Sequence, residues 1–117
     1  MSVSLGNKTE ELAKNYLTSE GLILVVANFR LKFGEIDLIM LDKDILTFVE
    51  VKYRKDNKFM EALETVNRAK QNKIKKVALY FLQKNIKYQN YICRFDVITL
   101  CGNMDKLEFF WLKNAFY

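Results

Sequence analysis

At 117 residues, half of them hydrophobic and 14% aromatic, the chain has the length of one domain and the apolar content of one core, which excludes disorder. With no proline and only four glycines it offers no place for a linker or low-complexity stretch, so residues 1–117 are expected to form a single domain. A net charge of +5, from 19 basic and 14 acidic side chains, inclines it toward polyanions such as nucleic acid, and no apolar run approaches the about 18 residues that would suggest a membrane span.

The opening MSVSLGNKTEELAK has no basic segment followed by an apolar one, so no signal peptide is expected; the simplest reading is a cytoplasmic protein without membrane association. There is no histidine, which removes Ser-His-Asp and Cys-His catalysis and every histidine base. Cys93 and Cys101 fit reduced packing residues and cannot by themselves complete a structural zinc site. Chemistry must therefore run on carboxylates, lysines, tyrosines or a bound metal.

In chain order, TEELAKNYLTSEG predicts a helix with Thr9 as N-cap, Glu10 and Glu11 in its first turn, an apolar stripe of Leu12, Ala13, Tyr16 and Leu17, and Gly21 just past its end. Residues 22–33, LILVVANFRLKF, read as a buried strand that turns amphipathic. EIDLIML and ILTFVEVKY follow as strands joined by the turn residues 42–44. From about Met60 to Lys84 the period becomes helical, with Leu63, Val66, Ile74, Val77, Ala78, Phe81 and Leu82 on one face. Residues 91–100 read as a fourth strand, GNMDK as a turn and LEFFWL as a fifth strand. The order α-β-β-β-α-β-β predicts an α/β domain with a mixed central sheet flanked by helices.

The two strands on either side of residues 42–44 carry Asp37, Glu50 and Lys52 inside apolar runs. Alternation puts Glu50 and Lys52 on one face. With a turn of Lys43–Asp44, or a four-residue loop of residues 42–45, Asp37 falls opposite Glu50; a three-residue loop would place the two carboxylates on opposite faces. Directly opposed carboxylates have Cβ atoms about 4.5–5.5 Å apart and repel unless a cation lies between them. Lys52 is one candidate cation and a divalent metal such as Mg²⁺ is another. A solvated Asp–Lys–Glu cluster on a wet sheet face is the bland alternative, weakened by Leu46 and Phe48 on one side of the strand and Val49 and Val51 on the other.

The unit GEIDLIMLDKDILTFVEVKYR, with LGNKTEELAKNYL, AKQ, RFDVI and the closing NAF, resembles the YraN family of bacterial proteins, which are similar to the PD-(D/E)xK nuclease superfamily. The resemblance implies a restriction-endonuclease-like fold and Mg²⁺- or Mn²⁺-dependent phosphodiester hydrolysis on DNA, including branched or flapped DNA. A nucleic-acid-binding module of the same fold without catalysis is the alternative. It also implies roles: Asp37 and Glu50 as metal ligands with the Val51 carbonyl, Lys52 as the residue that positions water or stabilises charge, and Glu10 as a further ligand. Thr9 departs from the family's usual glycine before that glutamate.

Nucleic acid is thus the expected partner, DNA ahead of RNA. Arg68, Lys70, Lys73, Lys75 and Lys76 make a basic helix whose plain reading is a solvated face. Lys70 and Gln71 are expected at the edge of the site on a phosphate, Lys73 on nucleic acid, and Arg54 at the mouth. Arg94 and Asp96 read as a structural pair. Phe109, Phe110 and Trp111 are read as core in preference to a homodimer interface or a base-stacking surface.

Overall fold

The computed structural model describes residues 5–117; residues 1–4, where the segment read as lacking a signal peptide begins, lie outside them. The elements are α1 (Leu5–Ser19), β1 (Ile23–Leu31), β2 (Gly34–Asp42), β3 (Ile45–Arg54), α2 (Phe59–Glu64), α3 (Arg68–Lys84), a 3-10 turn at Ile86–Tyr88, β4 (Ile92–Asn103) and β5 (Lys106–Phe116). The five strands lie in chain order in one sheet. β1–β2, β2–β3 and β4–β5 are antiparallel, while β3–β4 is parallel because α2 and α3 carry the chain across between them. This is the mixed, helix-flanked sheet that the sequence pattern predicts.

Each face of the sheet has its own core. On one, Leu46 and Phe48 of β3 and Ile39 of β2 meet Ile74, Val77, Ala78 and Phe81 of α3. On the other, Leu38, Met40, Val49, Ile98 and Leu100 meet Ala13 and Leu17 of α1. β3 is therefore buried on both sides, as expected of a parallel neighbour in the middle of a sheet.

Several local expectations are corrected. Thr9 is not an N-cap: α1 is already helical at Leu5, and the buried Thr9 hydroxyl donates to the Gly6 carbonyl at 2.9 Å. Glu10 and Glu11 thus lie beyond the first turn. Gly21 does end the helix, at φ +102°, with the Leu22 N–H on the Leu17 carbonyl at 3.0 Å. β1 is an edge strand rather than a buried one, with Ile23 66% exposed, because it pairs only with β2. The helical period over 60–84 is two helices: the chain turns at Thr65–Asn67, and the Asn67 side chain caps α3 by accepting from the Lys70 N–H at 3.0 Å. β4 and β5 run longer than predicted and meet in a tighter turn, with Asn103 paired to Lys106.

β5 also contains a bulge, since Phe95 pairs with Phe116 but Val97 with Leu112. Asp96, fully buried between them, fills it. Its carboxylate accepts from the Asn114 N–H (2.9 Å), the Trp111 indole (2.9 Å) and Arg94 (2.9 and 3.0 Å), and Arg94 also reaches Asp42 at 2.8 Å. The Arg94–Asp96 pair is thus structural, as expected. Phe109, Phe110 and Trp111 are half-buried; Phe109 stacks on Tyr16 and Phe110 on Phe59. Asp96→Ala should lower unfolding stability by about 3–5 kcal/mol, the effect of stripping one partner from a buried charge network, measured by urea denaturation.

Candidate active site

The β2–β3 turn is Lys43–Asp44, with Lys43 at φ +59°, the positive value that tight hairpin turns call for. Pairing runs from Asp42↔Ile45 to Leu38↔Val49 and stops there. In that register Asp37 would next oppose Glu50. Instead β2 leaves β3, and the Asp37 carboxylate replaces the lost backbone partner: its Oδ2 accepts from the Val51 N–H at 2.8 Å.

The departure has a local cause on β2 and β1. Ile36 and Leu38 would share a face in a regular strand, yet they enter opposite cores. The irregularity falls at Asp37 and, across the β1–β2 ladder, at Asn28, whose φ is +54°. The resulting fork opens a cavity of about 370 Å³ between the two strands, the first half of α1 and the start of α3.

Asp37, Glu50, Val51, Lys52, Glu10 and Lys70 all line it. Asp37 and Glu50 are only 7% and 5% exposed. The Lys70 ammonium lies 3.2 Å from Glu50 Oε2 and that of Lys52 3.6 Å from the same oxygen. Burial, then the charge and hydrogen bond of Glu50, push the Asp37 pKa up to about 9 against the lowering effect of the Val51 N–H. For Lys70, burial acts downward, but the charge and hydrogen bond of Glu50 carry its pKa above the ordinary value. Burial also raises the Glu10 pKa, opposed by the Asn28 side chain, and Glu10 Oε1 is buried without a hydrogen-bond partner. Because N–H and C=O of one strand residue point to the same edge, the Val51 carbonyl faces the fork as well.

Three expected residues are not brought in. Arg54 turns back, donating to the Tyr53 carbonyl at 2.8 Å. The Gln71 amide donates to the Val66 carbonyl at 2.9 Å, bracing the α2–α3 break. Lys73 lines a separate hollow with Phe33, Lys76 and Tyr80. Conversely, Tyr53 and Glu35 line the cavity without having been read as site residues, and so does Thr9, which was read as a helix cap. Glu35, two residues before Asp37, carried a usable signal in its spacing; Tyr53 did not.

Residues 9–100 match the model of "Uncharacterised protein family UPF0102". This chain belongs to the UPF0102 family. A UPF0102 protein of Colwellia psychrerythraea is 44% identical over 116 residues, spanning 98% of this chain and 90% of the relative. One from Francisella tularensis is 44% identical over 116 residues, spanning 98% and 96%, and one from Pseudomonas putida 45% over 112 residues, spanning 95% and 90%. Every cavity-lining residue from Thr9 to Lys70 lies inside the UPF0102 match, whereas β5 lies beyond it. No helix among the described residues is long and apolar enough to cross a membrane.

The raised Asp37 pKa has a consequence for stability. Between its ordinary value of 3.8 and about 9, the unfolded chain gives up this proton and the folded chain keeps it, so the contribution of Asp37 to stability is lost as pH climbs through that window. Asp37→Asn keeps an acceptor for the Val51 N–H and removes the titration. In chelator, the variant should be more stable than wild type by about 1 kcal/mol or more at pH 8, with a smaller gain at pH 5, measured by urea unfolding at both pH values.

Proposed function

We propose that this UPF0102 chain is a divalent-cation-dependent phosphodiesterase acting on nucleic acid, DNA ahead of RNA, in the manner of the PD-(D/E)xK nucleases that it and the YraN proteins resemble. The observation that carries the reading is the crowding of Asp37 and Glu50 in one cavity with two lysine ammoniums on Glu50. A cytoplasmic location goes with such a substrate.

The donor set suits Mg²⁺ or Mn²⁺. Among the described residues no three carboxylates stand close enough to cage an ion, but Mg²⁺ uses one or two carboxylates and completes its shell with water and substrate phosphate. Asp37 and Glu50 would hold it, with the Val51 carbonyl and the unpartnered Glu10 Oε1 as further donors. When bound, the ion supplies Lewis acidity at the phosphate. Lys52 orients the attacking water and stabilises negative charge developing on the phosphoryl oxygens. Lys70, free to exchange Glu50 for a phosphate, holds the substrate backbone.

A second reading, a binding module of the same fold without catalysis, is favoured by the same two lysines, because they compensate Glu50 with no metal at all. The two readings separate on variants. Asp37→Asn should weaken Mn²⁺ binding strongly in calorimetry while metal-free DNA affinity holds or rises. Lys52→Met should leave Mn²⁺ binding intact but slow cleavage of a labelled branched DNA by about 10²-fold or more. Wild type that cleaves nothing with either metal, with metal binding indifferent to both variants, would leave the binding module. For either reading, log affinity for duplex should fall linearly with log salt, by about 0.9 per phosphate neutralised, in a fluorescence anisotropy titration.

A further inference from the structure

A second cavity, of about 380 Å³, lies beside the first and is of opposite character. Phe59 of α2 and Phe110 of β5 stack at 4.1 Å and 12° in its wall. Met60 and Leu112, 61% and 45% exposed, line it as well. Thr99 of β4 is another lining residue, 1% exposed, and its hydroxyl is buried with no hydrogen-bond partner. A buried hydroxyl without a partner is costly and calls for explanation.

The sheet connects the two cavities. Thr99 pairs with Lys52 across the parallel β3–β4 ladder and with Phe110 across β4–β5, so the three residues form one row. Neighbouring strands are about 4.8 Å apart, which places the Thr99 position one strand from the lysine assigned to the phosphate.

We infer that this cavity receives an unpaired nucleobase next to the phosphate handled at Lys52. The inference rests on the phosphodiesterase reading and names its substrate class: a strand with at least one nucleotide out of the duplex stack. A base is the occupant that matches all the lining features. Its flat face packs on aromatic rings and its edge carries donors and acceptors. A threonine hydroxyl can both donate and accept, so it serves any base, and recognition is sequence-tolerant. A base inside an intact duplex has both faces occupied by its neighbours and must leave the stack to enter.

The test uses a short single strand carrying one fluorescent adenine analogue, and the same strand fully paired, both in chelator so that nothing is cleaved. The wild type should quench the analogue in the single strand and not in the duplex. Met60→Glu, at an exposed position where folding is not at issue, should abolish the quench and weaken single-strand binding about tenfold, as should Phe110→Leu; stacking on one aromatic is worth this much. Thr99→Val, which keeps the shape, should weaken it about threefold, the scale of one hydrogen bond. Equal quenching of duplex and single strand, or Met60→Glu binding and quenching like wild type, overturns the inference. With Mg²⁺ added, quenching without any cleavage keeps the base pocket and removes the phosphodiesterase reading. Cleavage of single strands unaffected by Met60→Glu and Thr99→Val keeps that reading and removes the pocket.

Discussion

The hydrogen bond from the Val51 N–H to the Asp37 carboxylate is the constraint on which the candidate site depends. Where two antiparallel strands part, the inner strand is left with unpaired backbone groups that no longer reach water easily. A carboxylate on the departing strand can satisfy one of them, and doing so draws the acid into the fork beside Glu50. The Asp37 carboxyl holds its proton well above the ordinary range there, and the Glu50 charge is met by Lys70 from α3 and Lys52 from β3 itself. Position, burial and electrostatics of the site thus share a single cause, the end of the β2–β3 ladder after Leu38.

The chain contains a second buried carboxylate, and the contrast is instructive. Asp96 is fully enclosed, and Arg94, Trp111 and the Asn114 N–H all donate to it. Such a group is finished: it shapes the β5 bulge and has nothing left to offer a ligand. The acids of the cavity are arranged otherwise: Asp37 has a raised pKa, Glu50 holds two ammoniums on one oxygen, and Glu10 has an oxygen lacking any donor. Burial with incomplete compensation sets the candidate site apart from the structural network.

The hairpin register was legible as far as Leu38 because side-chain alternation fixes which residues share a face once the turn is known; spacing left a three-residue loop open, and the direct opposition of Asp37 and Glu50 that a two-residue turn implies is not formed. The departure of β2 was not legible, because it depends on Asn28 one strand away and on which core each neighbour of Asp37 enters. β1 looked buried from its ILVV run, but edge position is decided by topology. The α2–α3 break was hidden because the apolar stripe continues through it, Val66 included. Thr9 was misjudged since a threonine that can cap a helix can equally bond back to its own helix. Gln71 and Arg54 carried suitable chemistry, but backbone carbonyls close at hand claimed their donors.

The parallel β3–β4 ladder also bears on how the chain folds. Asp37, Glu50 and Lys52 belong to one hairpin, whose closure is local and fast. Ile45 meets Ile92 only after α2, α3 and their connections have been laid across the sheet, a long-range closure with a larger entropic barrier. An isolated hairpin keeps its carboxylates in water, where their repulsion is slight. The cost of enclosing the acids arises only where α1 and α3 cover the fork, and the folded chain meets it by keeping a proton on Asp37.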